Sequence, residues 1–157
     1  MPEAAPLLFT GSDADSLPPR GLTGSYALFF KLSAPLAVRA GRLGEVRLPA
    51  GWLIYTGSAL GPGGLHARLR RHLSPAKRIH WHIDALSARV RPDFWLALAD
   101  AKRRECEWAQ RLAAHPAASI PLPGFGSSDC KQGCPAHLIA LPADMTTDAI
   151  VAWLRHP

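Results

Sequence analysis

Trp52-Leu53-Ile54-Tyr55-Thr56-Gly57-Ser58-Ala59 leads through Gly61-Pro62-Gly63-Gly64 into Leu65-His66-Ala67-Arg68-Leu69-Arg70-Arg71-His72-Leu73. Bulky and β-branched residues from Trp52 to Thr56 predict a strand. Gly61 to Gly64 cannot continue it, because proline has no N–H and glycine is costly to order. Leu65, Leu69 and Leu73 then recur at i, i+4 and i+8, which predicts an amphipathic helix. Its opposite side carries Arg68, Arg71 and His72, and Arg68 and His72 share a face at i, i+4 spacing. Ser74-Pro75 ends the helix.

Working outward, Gly24 to Leu32 reads as a strand headed by Gly24-Ser25-Tyr26, and Pro35 breaks it. Leu36 to Arg39 and Glu45 to Leu48 read as short strands joined at Gly41-Arg42-Leu43-Gly44. Arg78 to Ala88 is expected to be a second helix that buries Trp81 or Ile83 with Leu86. Phe94 to Ala99 reads as a buried strand. Asp100 is expected to cap a helix from Ala101 to about His115, with Trp108 and Leu112 facing inward. Pro116 to Ser128 is a Pro/Gly-rich loop. His137 to Leu141 reads as a last strand, and Thr146 or Thr147 caps a closing helix to Leu154. This order predicts an α+β fold: one domain over 23–157, with a small mixed or antiparallel central sheet flanked by helices. Residues 1–22 read as a loosely ordered tail, from which Pro6-Leu7-Leu8-Phe9 can dock on the body.

The 157 residues suffice for one sizeable core. No run of eighteen apolar residues and no secretory signal is present, so a cytoplasmic chain without membrane contact is expected. Three cysteines, Cys106, Cys130 and Cys134, do not make a disulfide framework in such a chain. The net charge of +6 is concentrated: between His66 and Arg91 the sole acid is Asp84. Such a field suits a polyanion, since neutralising phosphates releases counterions. Arg70, Arg71, Lys77, Arg78, His80 and His82 are the candidate nucleic-acid contacts. No helix-turn-helix, zinc finger or RNA-recognition motif is evident, and nothing identifies a homo-oligomer or protein partner.

Two strands, each with one Tyr, feeding an Arg/His helix resemble the GIY-YIG nuclease superfamily. Gly24-Ser25-Tyr26 matches the family's Gly-x-Tyr, with Ser for the usual Ile. Tyr55-Thr56-Gly57 matches its Tyr-x-Gly, with Thr for Ile. Arg68 matches the helix Arg, His72 the His after it, and Glu105 the metal-binding Glu of a later helix. His80-Trp81-His82-Ile83-Asp84 and Gly124 to Cys130 resemble a stand-alone, Uri-type endonuclease-like branch. The stretches from Tyr26 to Tyr55 and from Tyr55 to Arg68 are longer than in compact members. The resemblance implies a metal-dependent endonuclease that hydrolyses phosphodiester bonds in DNA, whether structured, branched or single-stranded. It implies one Mg²⁺ or Mn²⁺ on Glu105, with Glu107 as the competing ligand. Tyr26 would activate water as a phenolate, Tyr55 would position water or phosphate, Arg68 would offset phosphoryl charge, and His72 would relay a proton or bond the phosphate. The alternative is a catalytically inactive nucleic-acid-binding module of the same fold.

Each residue alone also has an ordinary reading: Tyr26 and Tyr55 as strand aromatics, Arg68 and Glu105 as surface charge, and His72 as a helix C-terminal cation. Asp84 is expected to pair with a nearby Arg rather than to bind metal with His80 and His82. Cys130-x₃-Cys134-x₂-His137, with Cys106 as a conceivable fourth ligand, admits a structural zinc. Its spacing is not the tight C-x₂-C of strong sites, and free thiols are the favoured expectation.

Overall fold

The computed structural model describes residues 5–128 and 130–155. Seven strands are formed: β1 (Leu7–Gly11), β2 (Gly24–Leu32), β3 (Leu36–Arg39), β4 (Glu45–Leu48), β5 (Gly51–Ala59), β6 (Phe94–Ala99) and β7 (Leu138–Leu141). The helices are α1 (Gly64–Leu73), α2 (Asp84–Ser87), α3 (Glu105–Ala113) and α4 (Thr147–Arg155). Five strands make one antiparallel sheet in the order β1-β6-β2-β5-β7, and β3 and β4 form a separate hairpin. This is the α+β single domain expected, with every pairing antiparallel.

β2 is buried along its length except at Lys31, because both faces of the sheet are covered. That cover explains why its sequence alternates so weakly. On one face Tyr26, Leu28 and Phe30 join Tyr55 and Trp95 beneath Leu65, Leu69 and Leu73 of α1. On the other, Ala27, Phe29, Ile54 and Leu96 pack against Trp108 and Leu112 of α3 and Ile150 and Leu154 of α4. The sheet is therefore the middle of three layers, and α1 and α3 lie on opposite sides of the paired β2 and β5.

Four expectations are corrected. Residues 7–11 are not part of a loose tail: they pair with β6 from Leu7↔Ala99 to Gly11↔Trp95, and Trp95 Nε1 donates to the Asp13 carbonyl at 3.1 Å. The helix expected over Arg78 to Ala88 shrinks to Asp84–Ser87, since the Asp84 carboxylate accepts the His80 and Trp81 N–H groups, both at 2.8 Å, in a turn. The helix expected from Ala101 begins at Glu105. Asp100 caps no helix; it takes the Lys102 N–H at 3.2 Å and holds the Arg104 guanidinium at 2.8 Å. Finally, β5 runs on to Ala59, three residues beyond the expected end at Thr56. Thr146 rather than Thr147 caps α4, its hydroxyl accepting the Ala149 N–H at 3.1 Å.

Candidate active site

β2 and β5 pair so that Tyr26 stands directly opposite Gly57. A Cβ at Gly57 would lie 2.5 Å from the Tyr26 hydroxyl oxygen, so the Gly of Tyr55-Thr56-Gly57 makes room for the other tyrosine. The two phenol rings are 6.4 Å apart. Gly126, at φ +72°, approaches Tyr55 in the same way: a Cβ there would meet the Tyr55 ring at 2.7 Å.

α1 brings Arg68 to these rings. Its guanidinium donates to the Ser58 carbonyl at 3.1 Å and lies 4.3 Å from the Trp81 ring, a cation–π distance. His72, one turn later, is not on the solvated side of α1. It is 1% exposed and shares a 2.7 Å hydrogen bond with the Tyr26 hydroxyl through Nε2. Helical phase accounts for this, since at 100° per residue His72 falls within about 20° of Leu65.

Glu105 arrives from the opposite layer. The Arg104 N–H donates to Ser25 Oγ at 2.8 Å, and Thr56 Oγ1 donates to the Glu105 carbonyl at 3.0 Å. Both hydroxyl residues are fully buried. Ser25 and Thr56 thus fasten the start of α3 to the sheet. In consequence Tyr26, Tyr55, Arg68 and Glu105 line one cleft of about 460 Å³. Glu105 is its sole carboxylate among the described residues, and Arg103 lies 3.5 Å from it. Glu107 is engaged elsewhere, with Arg111 at 2.6 Å and Arg104 at 3.4 Å. Helix phase therefore favours Glu105 as the residue facing the cleft.

Burial pushes the Tyr26 hydroxyl up to about 12, against the pull of Arg68. Burial also raises Tyr55, and the Tyr26 hydroxyl adds to the rise. The same burial, helped by Lys77, lowers His72 to about 3, so its imidazole is neutral. The low tyrosine pKa that a phenolate needs is therefore absent from the free protein. His72 Nδ1 and Ser58 Oγ are buried without a partner among the described residues, and Ser58 lines the cleft.

The basic stretch divides in two. Arg71 grips the buried Asp84 through both nitrogens at 2.7 Å and lies 4.3 Å from Trp81, so the expected Asp84–Arg pair is present. That pairing holds Asp84 down to about 2 in spite of its burial. Lys77 Nζ donates to the His72 carbonyl at 2.8 Å and to Ser87 Oγ at 2.9 Å. His82 Nδ1 accepts the Gly126 N–H at 2.9 Å and so steadies the loop over Tyr55. These three side chains are engaged inside the fold, whereas Arg70, Arg78 and His80 are exposed. Trp81, expected only as a core residue, is the aromatic plate beneath both guanidinium groups. Its place between His80 and His82 in a basic stretch was the available signal. Arg103 and Lys131, which also line the cleft, had no such signal.

At the other end of the cleft, Cys106 of α3 meets Cys130, Cys134 and His137. The four ligand atoms all lie within 4.8 Å of one another. Cys106 Sγ is 3.5 Å from Cys130 Sγ and 3.7 Å from His137 Nε2, and all three cysteines are free. The cysteines are free thiols, as the sequence favours, but they gather with His137 in a Cys₃His cluster able to hold a metal. Three sulfurs and an imidazole suit zinc better than Mg²⁺ or Mn²⁺, which prefer oxygen ligands.

Fold and site together define a small α+β domain with a Tyr/Tyr/Arg/Glu cleft beside a Cys₃His cluster. The family described as a domain of unknown function, DUF123, matches residues 25–156, and the chain belongs to it. No curated protein and no solved structure matches the chain. Among the described residues no helix is long and apolar enough to cross a membrane.

Proposed function

We propose that the protein is a metal-dependent endonuclease of the GIY-YIG type that hydrolyses phosphodiester bonds in DNA. The observation that carries this reading is the convergence of Tyr26, Tyr55, Arg68 and Glu105 in one cleft, from β2, β5, α1 and α3.

The donor set fits a hard cation. One carboxylate, completed by substrate phosphate and water, is an ordinary provision for Mg²⁺ or Mn²⁺, and Glu105 supplies it. When bound, such a cation offsets charge on the phosphoryl and leaving oxygens. Arg68, held flat by Trp81 and Ser58, offers its remaining N–H donors to the phosphoryl oxygens in a fork that Lys does not reproduce. Tyr26 would first release its own proton to solvent through the cleft and then, as a phenolate, accept the proton of the attacking water; Arg68 already pulls its pKa down against burial. Tyr55 positions the water or the phosphate. His72 is buried and neutral, so it orients the Tyr26 hydroxyl and reaches neither phosphate nor solvent.

Arg68 and Arg71 line a shallow pocket next to the cleft. Arg71 also borders a third hollow with Arg20, Arg70 and Lys77. This continuous basic track supports a path for the substrate backbone away from the cleft. Cleavage of labelled single-stranded, duplex and branched DNA, with Mg²⁺, Mn²⁺ or EDTA, tests the reading. Metal-dependent cutting that disappears in Glu105→Ala and Arg68→Ala is the expected result. Salt-sensitive binding without cutting on any substrate would replace it with the inactive binding module.

A further inference from the structure

Among the described residues 120–137 there is neither helix nor strand, yet this stretch forms a wall of the cleft. Loops of this length rarely stay ordered inside a compact domain unless something fastens them. The Phe125 side chain is fully buried, and Gly124 N–H and His137 N–H donate to the Pro135 and Phe125 carbonyls at 2.7 and 2.8 Å. Those contacts tie the loop to itself and to the α1 side of the sheet. On the α3 side, three loop residues turn their ligand atoms toward one residue of the helix, Cys106.

The geometry there suits a tetrahedral ion. Zinc–sulfur bonds of about 2.3 Å place tetrahedral sulfurs about 3.8 Å apart. The 3.5 Å between Cys106 and Cys130 Sγ is within a few tenths of an ångström of that spacing, and the 3.7 Å from Cys106 Sγ to His137 Nε2 is close to the roughly 3.6 Å that a shorter zinc–nitrogen bond gives. Cys106, Cys134 and His137 are 7%, 8% and 5% exposed and Cys130 is half-buried, so three of the four ligand residues are closed off from solvent, as in structural sites. Gln110, one turn along α3 from Cys106, donates to Cys134 Sγ at 3.7 Å, the kind of outer contact that steadies a thiolate ligand. A disulfide would satisfy only two of these sulfurs and would leave His137 without a role.

We propose that Cys106, Cys130, Cys134 and His137 hold a resident structural zinc ion, which fastens the 120–137 loop to the first turn of α3. Cys106 is the residue after Glu105, so the ion also sets the wall of the cleft on which Glu105 stands. The ion differs from the catalytic cation in ligand class and in place.

The test uses the intact wild-type chain and needs no substrate. Protein purified without chelator and without a histidine tag should contain about one zinc per chain by elemental analysis. Exchange for Co²⁺ should give the visible bands of a tetrahedral thiolate site. Stripping the ion should lower Tm by several degrees, with recovery on adding Zn²⁺ but not Mg²⁺. Cys134→Ser should lose the zinc stoichiometry. Metal-free protein whose three thiols all react freely, and which develops no Co²⁺ bands, would overturn the proposal. So would a Cys106–Cys130 disulfide found by peptide mapping without reduction. Zinc that leaves without any change in Tm would overturn the fastening role. None of these readouts depends on DNA cleavage, so the zinc site and the nuclease reading can fail separately.

Discussion

At the scale of single residues, the burial of His72, with Lys77 nearby, makes stability depend on pH. His72 has a folded-state pKa of about 3 against an ordinary 6.5. Between those values the unfolded chain takes up a proton that the folded chain refuses. Stability is therefore complete above pH 6.5 and falls as pH drops toward 3, by roughly 1.4 kcal/mol per unit. Asp84 adds a separate loss at lower pH, from about 3.8 toward 2, as the Arg71 pair is discharged. His72→Gln keeps an acceptor for Tyr26 but has nothing to protonate. Urea unfolding at pH 7, 5.5 and 4.5 should show wild type weakening steadily and the variant much less. Equal slopes would mean that His72 titrates normally. Arg68 carries a second prediction at this scale. Arg68→Lys keeps the charge but loses the flat contact with Trp81 and the fork, so kcat should fall by about 10²–10³ with Tm nearly unchanged. A kcat within threefold of wild type, roughly, would reduce Arg68 to a point charge.

At the scale of elements, the start of α3 depends on two hydroxyls. Thr56→Val is nearly isosteric and removes the donor to the Glu105 carbonyl. Ser25→Ala removes the acceptor for the Arg104 N–H, which stays buried and unpaired. Each should cost about 1–2 kcal/mol in denaturant unfolding. Because the loosened segment carries Glu105, each should also raise the Mg²⁺ concentration for half-maximal cleavage and leave DNA affinity alone. A stability loss with unchanged metal dependence would make these contacts purely structural. The same elements mark how far the sequence could be read. β2, α1 and β6 were legible to within a residue, because apolar spacing and Pro or Gly punctuation agreed at their ends. α2 and α3 were not, because Asp84 and Asp100 spend their carboxylates on turns, the first closed by Arg71 thirteen residues away and the second by Arg104 four residues on. The site was legible in its Tyr, Arg and Glu members. The inward turn of His72 follows from helix phase, whereas the gathering of Cys106 with residues 24 to 31 positions later is a tertiary fact.

At the scale of the whole molecule, burial divides the basic residues between those that hold the fold and those left exposed to solvent. Among the described residues Arg71 is the sole salt-bridge partner of the fully buried Asp84 carboxylate, so Arg71→Ala should lower stability by about 3–5 kcal/mol, and any effect on DNA binding should follow from that. Arg70 and Arg78 are exposed, so removing either should leave Tm within a degree or two and weaken binding alone. If both contact phosphates, log Kd against log salt should be steep for wild type, and each substitution should flatten it by about one unit. Fluorescence anisotropy of a labelled single strand from about 50 to 200 mM salt measures this slope directly. A wild-type affinity unchanged across that range would show that no run of phosphates is neutralised. The basic track from Arg68 past Arg71 to Arg70 would then be a solvated surface, and the cleft would have to take a small phosphodiester rather than a long chain.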